Sequence, residues 1–140
     1  MSEILVDNLT GKTSAGSITV TSEGGAATQS LQQGLAKAWF SWNGTGTAAL
    51  YDSFNTSSLN DEGTGLYTFT VTNGFSDANF ASVGMGSSSN SDAAATSMWR
   101  VDDNSVASTT IRIGVSYCTA SSNAKVDRAR NNTALHGDLA

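Results

Sequence analysis

Hydrophobic and polar residues alternate in short runs along this 140-residue chain, and this pattern limits the fold more than any other feature. The clearest runs are WFSWN from position 39, LYTFTVT from position 66 and TTIRIGVSY from position 109. Successive side chains of a β-strand point to opposite faces, so each run can bury one face and expose the other. The pattern therefore predicts half-buried antiparallel strands.

Within each run most of the large apolar side chains share one face, while Trp39 and Leu66 fall on the other. The residues on the shared face are Phe40, Trp42, Tyr67, Phe69, Val71, Ile111, Ile113, Val115 and Tyr117. Further strand candidates lie at 48–54, 80–85, 96–101 and within 133–140. Turns rich in Gly, Asn and Asp separate them. About seven short strands predict an all-β fold, namely an antiparallel β-sandwich of jelly-roll or immunoglobulin-like type over residues 39–140.

Residues 1–28 carry little apolar surface and should not fold independently. We expect them to form an extended arm that lies on something else: the chain's own domain, a neighbouring subunit or a larger assembly. The apolar residues that would make this contact are Ile4, Leu5, Val6, Ile18 and Val20.

Residues 29–38 have helical spacing, since Leu31, Leu35 and Ala38 fall on one stripe behind an N-cap at Ser30 or Thr28. This predicts a short helix. Its stripe could lie on the chain's own sandwich or meet the same stripe of other subunits.

Composition excludes several classes of partner. The chain has 12 acidic and 7 basic residues, a net charge of -5 and no cluster of Lys or Arg, which argues against nucleic acid. Neither a signal peptide nor an apolar run of membrane-spanning length is evident, so we expect synthesis in a cytoplasm without membrane insertion. Cys118 is alone, which leaves no intrachain disulfide.

Residues that could perform chemistry are sparse. His136 is the only histidine, and although Asp138 follows it closely, no nucleophile elbow accompanies the pair. The carboxylates best placed for glycoside hydrolysis lie in turn-like runs, where such residues serve turn geometry; they are Asp61, Glu62, Asp102 and Asp103. We expect no enzyme activity, no cofactor and no dedicated metal site.

Several short segments follow one another in a recognisable order. They are GLAKAW from position 34, NGTGT from 43, DSFNTSS from 52, DEGTGLY from 61, DANF from 77 and the closing HGDLA. This succession resembles a module that recurs in tail-fibre-like and other virion structural proteins of tailed bacteriophages, especially those of marine bacteria and cyanobacteria.

The resemblance implies a structural protein of the virion, made in the host cytoplasm. It implies a trimeric short tail or head fibre exposed for host adsorption, with Leu31 and Leu35 near the threefold axis and the arm on another virion protein. The segment from position 87 onward lies outside the resemblance, and variable loops of this kind carry receptor contacts. We expect it to meet a host-surface glycan or protein through Ser87, Ser88, Asn90, Asp92 and Trp99.

Two other functions remain open. A capsid decoration or cement protein would use the arm across the seams between capsomers. A polysaccharide-cleaving fibre tip is the third, and the sparse histidine and carboxylate inventory argues against it.

Overall fold

The computed structural model describes residues 3–14, 17–87, 96–101, 106–118 and 123–140. The chain divides into two compact units, Met1–Leu35 and Ala36–Ala140. Almost all of the regular structure is antiparallel β-sheet with one very short helix, so the all-β prediction is confirmed. Within the described ranges, no helix is long and apolar enough to cross a membrane.

In the first unit, residues 3–14 and 17–35 include one small hairpin and the helix. Strands β1 (Thr19–Thr21) and β2 (Thr28–Ser30) pair with each other, and α1 (Leu31–Gly34) follows directly. The Ser30 hydroxyl oxygen accepts a hydrogen bond from the backbone N–H of Gln33 at 3.4 Å, as an N-cap should.

The helix is shorter than the predicted span of residues 29–38. Leu35 already has extended backbone angles, and Ala38 begins the next strand, where it is fully buried. A single turn is costly to nucleate and Gly34 weakens it further, whereas strand pairing at Ala38 buries apolar surface. The helix through Ala38 was therefore a wrong prediction.

The described residues of the second unit form nine strands in two sheets. Their bounds are β3 (Ala38–Asn43), β4 (Ala49–Phe54), β5 (Thr56–Gly63), β6 (Leu66–Val71), β7 (Ala81–Gly86), β8 (Thr96–Val101), β9 (Thr110–Cys118), β10 (Asn123–Lys125) and β11 (Asn131–His136). The first sheet has the order β4-β3-β11-β7. In the second, β5 pairs with β6, β6 with β9, and β9 also with β8 and β10.

Strand β9 is paired along both of its edges. Ile113 and Gly114 pair with β6 and also with β8, so these two strands lie on opposite sides of β9. Residues 116–118 pair with both β8 and β10, which places β10 on the same side as β6. The centre of β9 is accordingly shielded, and Ile111, Ile113 and Val115 are almost completely buried.

The inner faces of the two sheets share one core. The ring of Phe40 on β3 stacks on that of Phe69 on β6, with 3.9 Å between centroids, and Trp42 meets Phe69 edge-on at 4.8 Å. Leu135 on β11 is also fully buried in this cluster. The faces predicted from alternation are correct for β3, β6 and the buried part of β9.

Candidate functional site

The predicted receptor-facing loop lies mostly outside the described residues. Ser88, Asn90 and Asp92 belong to that part, and Trp99 lies in β8, where only its backbone pairing with Val115 is described. Ser87 is half-buried; its backbone N–H donates to the Arg130 carbonyl at 2.7 Å. The loop therefore stays a prediction.

The three residues predicted as oligomer contacts differ in their accessibility to solvent. Leu35 is 55 % exposed and Leu31 is partly exposed, so both are accessible. Ala38 is fully buried in the core of its own chain, which removes it from any surface that another subunit could reach.

The predicted arm residues lie on the surface. Ile4 and Leu5 are more than four-fifths exposed, Val6 and Val20 are more than half exposed, and Ile18 is partly exposed. Such a run of exposed aliphatic side chains is unusual unless a partner covers it.

The segments that resemble the phage module form corners of the fold. In NGTGT, the Asn43 side chain bonds Thr45 in an Asx turn and Gly46 has a φ of 66°. In DANF, the Asp77 carboxylate accepts from the backbone N–H of Asn79 at 2.7 Å. In HGDLA, Leu139 forms an antiparallel bridge with Phe75.

A buried polar cluster joins two of these segments, NGTGT and DEGTGLY. The Tyr67 hydroxyl lies 2.7 Å from Asp127 Oδ1 and 3.0 Å from the Gly44 carbonyl oxygen, and the Gly65 N–H donates to Asp127 Oδ1 at 2.6 Å. Burial raises the pKa of the Tyr67 phenol above its ordinary value, and the hydrogen bond to Asp127 and the charge of that carboxylate raise it further. A phenol held neutral in this way is a structural hydrogen-bond donor.

Asp61 and Glu62 lie near the end of strand β5, so the prediction that their run is a turn was wrong, and their carboxylates bond neighbouring residues of the same strand. Asp61 Oδ1 accepts from the Gly63 N–H at 2.9 Å, and Glu62 Oε1 accepts from the Asn60 side chain at 2.6 Å. Asp102 and Asp103 lie outside the described residues. Across the described ranges, no group of three His, Cys, Asp or Glu side chains could hold a metal ion.

The outer face of the sheet β4-β3-β11-β7 carries several exposed large side chains. We define the outer apolar face by its exposed large side chains, which are Trp39, Tyr51, Phe54, Val83 and Met85. Each is between 38 % and 68 % exposed. Alternation along the sequence does not single out this face, because its large side chains come from three different strands.

A shallow groove of about 460 Å³ runs along β11 on this face. Its lining residues are Trp39, Phe40, Ser41, Val83, Gly84, Met85, Asn132, Thr133 and Ala134. Ala134 and Asn132 form the floor because they are smaller than Trp39 on one side and Val83 and Met85 on the other. None of the lining side chains titrates, so the groove has the chemistry of a binding surface rather than of an acid–base site.

A cationic side chain borders this face beside Tyr51. The Arg130 guanidinium carbon lies 5.2 Å from the centroid of the Tyr51 ring, within cation–π distance, and the Tyr51 hydroxyl donates to the Ala129 carbonyl at 2.8 Å. These contacts hold the Tyr51 ring at the end of the face.

Comparison of the chain with protein-family models, with curated proteins and with solved structures finds no match.

Proposed function

We propose that this chain is a non-enzymatic structural subunit of a tailed-phage virion, a trimeric short tail or head fibre exposed for host adsorption. One observation carries the proposal. The segments that resemble the phage module occupy successive turns and corners of a single β unit, from Asn43 to Asp77 and again at Leu139. A set of matching segments that together build one fold supports common architecture better than isolated matches would.

For the fold we infer a β-sandwich of jelly-roll type rather than of immunoglobulin type. The support is topological: β3, the first strand of the second unit, pairs with β11, the last, and β11 then pairs with β7. The chain also moves repeatedly between sheets, from β4 to β5, from β6 to β7 and from β7 to β8. Such switching between two sheets is typical of jelly rolls.

The exposed aliphatic run from Ile4 to Leu9 supports attachment to another virion protein. These side chains are at least 59 % exposed, and covering them would contribute roughly 25 cal/mol per Å² of apolar area. The same run favours a second candidate, a capsid decoration or cement protein whose arm lies across neighbouring capsomers.

Cryo-EM of the virion that carries this chain tests the proposal and separates the candidates. Density for the β unit at the tail, or projecting singly from the head, supports the fibre. Density repeated over the icosahedral shell, with residues 4–9 between capsomers, supports the decoration protein. Absence of the chain from purified virions by mass spectrometry overturns both.

A further inference from the structure

An unbroken row of apolar side chains crosses all four strands of the first sheet. Phe54 pairs with Trp39, Trp39 with Ala134, and Ala134 with Val83. Met85 lies two residues beyond Val83 on the same side of β7 and is 68 % exposed. Single exposed apolar residues are normal on protein surfaces, but a row that spans a whole sheet is a contiguous patch.

The patch is large enough to form half of a specific interface. From the exposed fractions of its five large side chains, it offers on the order of 300–500 Å² of apolar area. Two such patches face to face, together with the small residues between them, reach about 1,000 Å², the lower limit for a specific interface.

The edge of the patch carries one acidic and one basic side chain, so two copies can bring opposite charges together there. Asp52 is exposed on β4 opposite Ser41, and Arg130 is exposed just before β11. A second copy would therefore bring one acidic and one basic group to the rim, and two identical patches would not be forced to repel each other.

We propose that the outer apolar face packs against a second copy of this chain, sheet against sheet. Side chains such as Trp39 and Met85 would interdigitate across the contact, as inner faces of packed sheets do. A glycan fits the groove less well because the groove presents few polar side chains. One of them, Thr133, is buried. Two identical faces packed in this way close as a twofold pair, so this contact is distinct from the threefold axis of the proposed fibre and does not rest on the proposed function.

Three matched variants of the full chain test the surface. Met85→Glu places a carboxylate on the outer apolar face, Leu35→Glu on the helix and Leu5→Glu in the arm, at residues 68 %, 55 % and 83 % exposed. We expect the unaltered chain to be oligomeric by sedimentation velocity and light scattering. Met85→Glu should weaken association at least tenfold, and the other two should not change it. Val83→Lys is the second variant of the face, and circular dichroism checks the fold of each protein.

Each contrary outcome has its own meaning. A monodisperse monomer up to high micromolar concentration overturns this inference and the trimeric part of the proposed function, while the virion location still depends on the cryo-EM map. Dissociation by Leu35→Glu alone overturns this inference and leaves the helix as the collar of the proposed fibre. Dissociation by Leu5→Glu alone also overturns this inference, because it would show that the arm and not the outer apolar face joins the subunits.

Discussion

At the scale of single residues, Tyr67 contributes more than hydrophobic area. Its hydroxyl lies within hydrogen-bond distance of the Gly44 carbonyl, in the turn after β3, and of the Asp127 carboxylate, in the segment before β11. Gly44 has to lack a side chain because a Cβ there would overlap the Tyr67 hydroxyl. The alternating pattern predicts that Tyr67 faces the core, but it contains no information about these partners, which come from distant parts of the chain.

Replacing Tyr67 with Phe should lower the free energy of unfolding by about 1–3 kcal/mol, because the Gly44 carbonyl and Asp127 lose a donor in a partly buried place. Urea unfolding at neutral pH measures the loss. Tyr51→Phe is the matched control, since it removes an equally short hydrogen bond at a residue that is 54 % exposed, and it should cost less. Equal losses for the two variants would contradict a special role for the Tyr67 cluster.

The raised pKa of Tyr67 also predicts a pH dependence. An unfolded tyrosine ionises near pH 10, whereas the folded phenol keeps its proton to higher pH. Above about pH 10 the unfolded state therefore binds fewer protons than the folded state, and stability should fall as pH rises. The contribution is fully present below that pH. Urea unfolding between about pH 8 and 11.5 measures the free energy of unfolding, which should fall less steeply with rising pH for Tyr67→Phe than for the unaltered chain. Parallel curves for the two proteins would contradict a contribution from Tyr67.

At the scale of elements, one residue carries the chain from the first sheet to the second. Asn55 alone separates β4 from β5 and has a φ of 55°, in the left-handed region that few residues adopt. Its side-chain amide donates to the carbonyls of Lys37 at 2.9 Å and Asn73 at 3.0 Å, and its oxygen accepts from the Asn73 N–H at 2.7 Å. Asn suits both tasks because it tolerates this conformation and hydrogen-bonds the backbone.

Replacing Asn55 with Ala should destabilise the protein by about 2–4 kcal/mol, since it adds left-handed strain to the loss of three hydrogen bonds. Asn55→Gly loses the same bonds without the strain and should cost about 1–2 kcal/mol less. Thermal or urea unfolding of both variants measures the difference. If the Gly variant were as unstable as the Ala variant, the positive φ would not contribute to the choice of Asn.

At the scale of the whole molecule, burial is distributed unequally between the two units. None of the described residues of Met1–Leu35 is buried, whereas the core residues all belong to Ala36–Ala140. Local stability follows buried apolar contacts, so the two units should open with very different free energies.

Hydrogen exchange followed by mass spectrometry tests this difference on the isolated chain. We expect backbone amides of Thr19–Thr21 to exchange at least about a hundredfold faster than those of Leu66–Val71, which lie in an interior strand of the second sheet. Binding of the first unit to a virion partner should slow its exchange. Equal protection of both segments in the free chain would show that the first unit is already covered.

The sequence by itself determined the all-β class and the buried faces of β3, β6 and β9, because period-two alternation is a local property. It did not predict β5, whose Ser- and Asp-rich sequence was interpreted as a turn region and which becomes a strand by pairing with β6. The apolar face formed by Trp39, Val83 and Met85 was likewise decided by the tertiary structure. Alternation places Trp39 on the face opposite Phe40, but only strand pairing brings Trp39 beside Phe54 and Ala134 and so makes one continuous surface of them.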